Sequence, residues 1–444
     1  MRFKKFDYSN LEEIIKEIQM LGLDIYLSDK FDVFNKTFDI QGHIAPNRLV
    51  VHPMEGADSN PDGSPGELTI RRYERFAKGG AGIIWFEAVA VVPEARTSPR
   101  QLWINRTNAD KYKQLMEVIV RNAQQEFGAN HIPLCIMQLT HSGRFSKPEG
   151  KAAPIIAAHN PFLDARYGID EDFPVIEDDE LERLEDVFVE AAVLAKQAGF
   201  HGVDVKACHR YLNSELLSAY TRKGRYGGEY ENRTRFLINV VDKIKERLGD
   251  NFIVSTRLNI YDGIPFPYGW GVDKCDYLKY DLTEPLKLVK QLYDRGVKII
   301  NITMGTPYYN PHVNRPFDKG EYVPEEHPLE GVARMISGAG EIQKAVPCIA
   351  VAGTGYSWLR HFSPYLAAGA LEKGLATFIG YGRQSFAYPD FAKDIIQNGW
   401  LKKEKCCIAC GKCTEIMRAG GTAGCVIRDP EIYGPVYFRG GKLL

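Results

Sequence analysis

Three side chains able to move protons or hold charge, Lys206, His209 and Tyr211, stand within six positions, with Cys208 among them. They follow Gly202-Val-Asp-Val, a short apolar run of the kind that forms a strand buried on both faces. Proton donors at the carboxyl end of such a strand are where a parallel α/β barrel keeps its active site. Tyr226 to Arg233, just beyond, reads as architecture: a glycine turn leading into a helix. A second constellation lies near the end of the chain. Cys407-Ile-Ala-Cys410-Gly-Lys-Cys413 is joined by Cys425, so three thiols share a tight loop and a fourth returns from a distance. That pattern suits a [4Fe–4S] cluster, with a structural zinc site as its rival and Cys406 as an alternative first ligand.

The elements that position these groups alternate in type. Apolar runs at 49–52, 82–90, 133–139, 202–206, 252–258, 298–303, 347–352 and 376–380 read as strands. Amphipathic stretches at 109–126, 179–198, 234–247, 284–295, 330–344 and 357–368 read as helices between them. Eight strands alternating with helices argue for an α/β fold closed as a (β/α)8 TIM barrel. A doubly wound sheet would place a glycine-rich turn after its first strand, where Pro53-Met54-Glu55-Gly56 stands instead. The expected division is an N-terminal helical extension over 1–40, the barrel over 41–400 and an iron–sulfur-binding tail over 401–444. Leu11 to Ile18 is the helix of the extension, capped by Ser9 or Asn10 and covering the barrel bottom or a neighbouring subunit. Two long loops interrupt the rhythm, 142–178 and 260–281. Phe266, Tyr268 and Trp270 make the second a candidate wall for a flat apolar substrate, or a loop packed on itself.

The chain's 444 residues suit such a barrel with additions, and its net charge of −1 speaks against wholesale nucleic-acid or membrane-surface binding. No apolar run is long enough to span a bilayer, and the first residues lack the apolar core of a signal peptide. Five of the nine cysteines crowd near the end, unlike a secreted disulfide framework, so a cytoplasmic location is expected. Homo-oligomerisation stays open.

The residues just past the strands match what a flavin needs. Gln138 is an amide for the pyrimidine edge of the ring. Arg257 is a fixed cation for N1 and C2=O, where negative charge gathers on reduction. Gly353 and Gly382-Arg383 follow the seventh and eighth strands, the usual phosphate site of these barrels. His141 is a flavin neighbour or a satisfied core histidine. Glu55 tunes the flavin edge or caps the helix near Glu67.

These stretches together resemble the old yellow enzyme family of FMN-dependent ene-reductases. The matching segments are Asn47-Arg48…Pro53-Met54, Phe86-Glu87-Ala88, Gln138-Leu139…His141-Ser142-Gly143-Arg144 and His209-Arg210-Tyr211-Leu212. Tyr226-Gly227-Gly228…Glu231-Asn232-Arg233, Arg257 and Gly380…Gly382-Arg383 complete the set. The cysteine tail resembles the branch that includes 2,4-dienoyl-CoA reductase and trimethylamine dehydrogenase, and there implies a [4Fe–4S] cluster on Cys407, Cys410, Cys413 and Cys425. The resemblance implies that Pro53, Met54, Ala88, Gln138, Arg257, Gly353, Gly382 and Arg383 contact FMN. It further implies that Tyr211 protonates the substrate carbon opposite the hydride and that His209 grips the substrate carbonyl. Lys206 departs from it, standing where the family keeps a histidine. It binds an enolate oxygen or a carboxylate as a point charge, or turns to Asp204 or Glu215.

The implied activity is reduction of a C=C bond conjugated to a carbonyl. Steroid, tetrapyrrole, acyl-CoA and cinnamate-like substrates all remain open. Amine oxidation with electrons leaving through the cluster, or an electron-transfer subunit, are the alternatives. Larger members of the branch carry an FAD- and nicotinamide-binding module after the cluster, and this sequence stops at Leu444. A ferredoxin-like protein or separate flavoprotein is therefore the expected electron donor, unless NAD(P)H reaches the FMN directly.

Overall fold

Each buried apolar run forms a parallel strand, and the strands close on themselves. The computed structural model describes residues 3–440. A short antiparallel hairpin comes first, β1 (Phe38–Ile40) and β2 (His43–Ala45). The barrel strands are β3 (Leu49–Val51), β4 (Ile83–Ala90), β5 (Leu134–Thr140), β6 (Gly202–Val205) and β7 (Ile253–Ser255). They continue with β8 (Arg257–Asn259), β9 (Ile299–Thr303), β10 (Ala350–Gly353) and β11 (Phe378–Tyr381). Neighbours run in the order β7-β6-β5-β4-β3-β11-β10-β9-β8. β7 and β8 are one strand interrupted at Thr256. The Thr256 hydroxyl donates to the Val205 carbonyl at 2.7 Å, and its own carbonyl accepts from Asn301 N at 3.0 Å. That residue therefore links β6 to β9 and completes the ring. The fold is the expected (β/α)8 barrel, with its fifth strand split.

Helices Ala109–Phe127, Asp178–Gln197, Tyr230–Leu248, Thr283–Asp294 and Pro328–Ala345 lie where the periodicity places them. The stretch expected as a helix from Ser357 instead opens as a tight 3-10 segment, Tyr356–Phe362, before helix Ser363–Glu372. Apolar side chains from the strands fill the barrel interior, Val50, Trp85, Ile136, Ile253, Ile299 and Phe378 among them. Ile40 and Ala45 of the hairpin join that same cluster and plug the amino end. The hairpin turns at Gln41-Gly42, both at positive φ (57° and 85°), as a two-residue turn between right-twisted strands requires.

In the extension, Asn10 Oδ1 accepts from Glu13 N at 3.0 Å and starts helix Leu11–Met20, which buries Ile14 and Ile18. Phe6 and Tyr8 pack edge-on against Trp358, with ring centroids 5.5 and 6.3 Å away. This part of the extension therefore covers the segment after β10, at the carboxyl end of the barrel rather than its bottom. Among the described residues no helix is long and apolar enough to cross a membrane.

Two buried histidines make the fold acid-sensitive. His141 Nδ1 accepts from Gly143 N at 3.1 Å, and His201 Nδ1 accepts from Cys135 N at 3.0 Å. An Nδ1 that accepts must be unprotonated, and burial pushes both imidazoles down to about 4. The unfolded chain takes up these protons near pH 6.5 while the folded chain refuses them. Stability therefore rises with pH across this window and is lost as pH falls from about 6.5 toward 4, by about 1.4 kcal/mol per pH unit for each histidine. Urea midpoints measured from pH 7.5 down to 4.5 should show this slope. His141→Asn, which keeps an acceptor but does not titrate, should reduce the slope by that one histidine's share.

Candidate active site

One cavity opens at the carboxyl ends of the strands and gathers most of the expected residues. Pro53, Met54, Glu55, Gln138, Lys206, His209, Tyr211, Arg257, Gly382 and Arg383 all line it. Ala88 and Gly353 do not. Ala88 sits in β4 at a register shift, with its carbonyl taken by Gln101 Nε2 at 3.1 Å. The Gly353 carbonyl is engaged by His52 Nε2 at 3.1 Å. His52 presses on Gly380 so closely that a Cβ there would lie 1.9 Å from its Nε2, and only glycine fits.

Gln138 and Arg257 are held by one buried carboxylate. Asp204 accepts from Gln138 Nε2 at 2.6 Å, Trp85 Nε1 at 2.7 Å and the backbone N of Arg257 at 2.5 Å. This fixes the Gln138 amide and leaves its Oε1 free for a ligand. Among the described residues the Arg257 guanidinium has no hydrogen-bond or ion-pair partner; burial pushes its pKa down, with Cys208 and Asp204 opposing. Two further arginines lie at the other end. Among the described residues Arg383 Nη2 reaches only the Pro316 carbonyl at 3.2 Å, and Arg315 Nη1 only Thr414 Oγ1 at 2.8 Å. Burial and the charge of Arg383 push Arg315 down to about 10. Three arginines facing one cavity without a carboxylate partner among the described residues make a site for an anion. Together with the Gln138 amide they fit a planar cofactor that bears a phosphate.

The chemistry-bearing turn after β6 is strained. His209 and Arg210 both take positive φ, 63° and 59°. Such residues cost about 1–3 kcal/mol each and persist only when their surroundings hold them. Here the buried Arg210 side chain is bound by Asp262 Oδ2 at 2.9 Å and by the Ser218 hydroxyl. The turn delivers His209 and Tyr211 to the cavity. Burial, then the charges of Lys206, Arg257 and Arg315, hold His209 well below the usual imidazole range, so it is neutral. Lys206 turns neither to Asp204, which Gln138, Trp85 and Arg257 saturate, nor to Glu215, which Arg144 holds. Its Nζ lies 3.4 Å from Glu55 Oε1. Glu55 therefore belongs to the cavity, and Gly66 stands at the N-cap of helix Glu67–Ala77. His141 is the satisfied core histidine.

The loop expected as a substrate wall stays out. Trp270 N donates to Asp262 Oδ2 at 2.8 Å, and the Phe266 ring packs on Tyr220 at 5.1 Å, so 260–281 packs on itself and its neighbours. Tyr308 and Trp358 line the cavity instead. Trp358 comes from the 3-10 segment after β10, and Tyr308 from the connection after β9, which carries no pattern of its own. Arg315 was missed for the same reason.

The tail docks on this face of the barrel. Ala423 N donates to the Gly56 carbonyl at 2.7 Å, and Asp429 takes Arg71 at 2.7 Å and Arg75 at 2.6 Å. Cys406, Cys407, Cys410, Cys413 and Cys425 line one small cavity. Cys406 differs in being fully buried, its thiol donating to the Lys402 carbonyl at 3.4 Å. Among the described residues no three histidine, cysteine or carboxylate side chains are grouped as a site for a metal ion. Cys413, Arg383 and Phe386 border both this cavity and the larger one.

The family model described as NADH:flavin oxidoreductase / NADH oxidase matches residues 36–279, more than half of the chain. The chain belongs to this family. It is a family of flavin-dependent oxidoreductases. An NADH oxidase of Thermoanaerobacter brockii is 28% identical over 404 residues, covering 88% of this chain and 55% of that protein. The chain thus spans little more than half of that relative's length. Two solved structures share its fold. A 2-naphthoyl-CoA reductase aligns with a TM-score of 0.71 at 19% identity, covering 93% of this chain and 58% of that one. An old yellow enzyme homologue from Zymomonas mobilis aligns at 0.60 and 21% identity, covering 84% and 94%. The NADH:flavin oxidoreductase match takes in Gln138, Lys206, His209, Tyr211 and Arg257, and leaves Arg383 and the cysteines outside it.

Proposed function

We propose that this chain reduces a C=C bond conjugated to a carbonyl, with FMN in the large cavity and a [4Fe–4S] cluster on Cys407, Cys410, Cys413 and Cys425. The observation behind this is one continuous lining that runs from Gln138 and Arg257, past His209 and Tyr211, to Arg383 and Cys413. Gln138 and Arg257 would hold the flavin's pyrimidine edge, and Arg315 with Arg383 its phosphate. Bound FMN supplies a hydride, and the cluster supplies single electrons. The neutral His209 donates a hydrogen bond to the substrate carbonyl and draws charge onto its oxygen. Tyr211, whose hydroxyl faces the same space, gives its proton to the α carbon. On this reading the chain divides as extension 1–40, barrel 41–400 and cluster tail 401–444. Electrons arrive from a ferredoxin-like protein or a separate flavoprotein, or from NAD(P)H at the flavin.

The test is an anaerobic absorbance spectrum of the purified protein, with iron, sulfide and flavin counted. A flavin band over broad cluster absorbance, with about four iron per FMN, is expected. Reoxidation of the reduced protein by cyclohex-2-enone should follow. Zinc in place of iron would leave a structural tail. Bleaching by an amine, with no response to the enone, would point to amine dehydrogenation instead. Absence of flavin from reconstituted protein would overturn the proposal at its root.

A further inference from the structure

The groups around Tyr211 are placed to give a proton back as well as to release one, an inference that rests on the ene-reduction reading. Lys206 Nζ lies 3.9 Å from the centroid of the Tyr211 ring and 3.4 Å from Glu55 Oε1. The same Glu55 oxygen is 3.5 Å from the Tyr211 hydroxyl. Both are long contacts, of the kind that tighten when a site fills. Glu55 is fixed by its other oxygen, which accepts from Thr97 Oγ1 at 3.1 Å. The ammonium is thus stacked on the phenol and held by the carboxylate, not extended toward a substrate oxygen.

We propose that Lys206 and Glu55 are the proton-return pair of Tyr211, with Glu55 passing to the phenolate a proton that Lys206 supplies. The Tyr211 O–H bond breaks as the α carbon gains its proton, leaving a phenolate. A Lys206 N–H bond breaks as Glu55 Oε1–H forms, and that bond breaks in turn as Tyr211 O–H re-forms. Lys206, left neutral, takes a proton from water. No electrons move in these steps. While the phenolate lasts, the ammonium over its ring is the counter-charge. Tyr308, with its hydroxyl 3.3 Å from that of Tyr211 and its ring stacked on Phe145, is a positioning residue. Cys208 and His209 are the other titratable groups facing the phenol.

The experiment compares the first turnover with later ones. Holoenzyme reduced beforehand carries a protonated Tyr211, so one turnover with cyclohex-2-enone needs no recharge. In Glu55→Gln and Lys206→Met, steady-state turnover is expected to fall at least about a hundredfold further than the single-turnover rate, the lower end of what proton transfer contributes. Lys206→Arg, which keeps the charge but cannot give up its proton, should share that split. A second readout needs no turnover: tyrosinate difference absorbance of the holoenzyme, with Tyr211→Phe subtracted. Lys206→Met should move the Tyr211 ionisation to higher pH and Glu55→Gln to lower pH. Equal losses in both kinetic phases, or a Tyr211 titration that neither variant moves, would overturn the proposal. A wild-type holoenzyme that no enone reoxidises would overturn the ene-reduction reading instead, and the titration would still decide the contact.

Discussion

Replacing Tyr211 by phenylalanine is expected to slow enone reduction by about 10²–10⁴-fold, the usual share of a positioned general acid, with the reductive half-reaction unchanged. The phenol is 3% exposed, and burial followed by the charge of Glu55 and the contact with Tyr308 raises its pKa well above the ordinary tyrosine range. It therefore carries its proton at any working pH and gives it only to a strong base such as an enolate carbon. Phenylalanine keeps the ring that Lys206 and Phe145 pack against, so the loss isolates the hydroxyl. Stopped-flow measurement of the two half-reactions separates the effect from any change in cofactor binding. Because Tyr308 stands beside it, the pair Tyr211→Phe and Tyr308→Phe should be slower still if Tyr308 partly substitutes. Full enone turnover by the single variant would sink the assignment of Tyr211 as proton donor.

Why the sequence revealed some of this and not the rest follows from where the signals lie. Strands such as β4 and β5 are buried on both faces, so their sequences are almost continuously apolar and legible at once. The break at Thr256 was not legible, because a single threonine that bonds sideways to Val205 looks like any strand residue. The hairpin β1–β2 escaped as well. Its strands are three residues long, and its turn begins with glutamine rather than the asparagine or aspartate that usually marks such turns. At the site, Gln138, Arg257, His209 and Tyr211 were legible because each lies in or just after a recognisable strand. Tyr308, Arg315 and Trp358 lie in connections where only the closed ring brings them to the cavity. Asp204 carried a signal that went unused. A carboxylate inside a buried strand must be satisfied by something, and here it is what aims Gln138 and Arg257.

Cys413→Ser is expected to remove the iron almost entirely while FMN stays bound. A cluster held by four thiolates is an all-or-none assembly, and a serine hydroxyl, protonated at neutral pH, is a poor replacement. The residues proposed to hold the flavin ring, Gln138 and Arg257, are fixed by Asp204 inside the barrel and do not depend on the tail. The tail is also tied down without metal, through Asp429 with Arg71 and Arg75 and through Ala423 with Gly56. The barrel of the variant should therefore fold, and its flavin and iron contents should part company. Cys406→Ser is the contrasting case: its thiol faces the Lys402 carbonyl in the core, so iron should be retained. Cys413 borders the large cavity as well as the thiol cavity, so on the proposed reading electrons between flavin and cluster would have a short route there. Reduction of the variant by a one-electron donor such as ferredoxin should fail, and direct reduction by NAD(P)H should survive if the nicotinamide reaches the flavin. Iron retained at the wild-type level in Cys413→Ser would show that the thiols at Cys407, Cys410 and Cys425 hold something other than the four-thiolate cluster, and loss of flavin together with iron would show that the tail helps to build the flavin site.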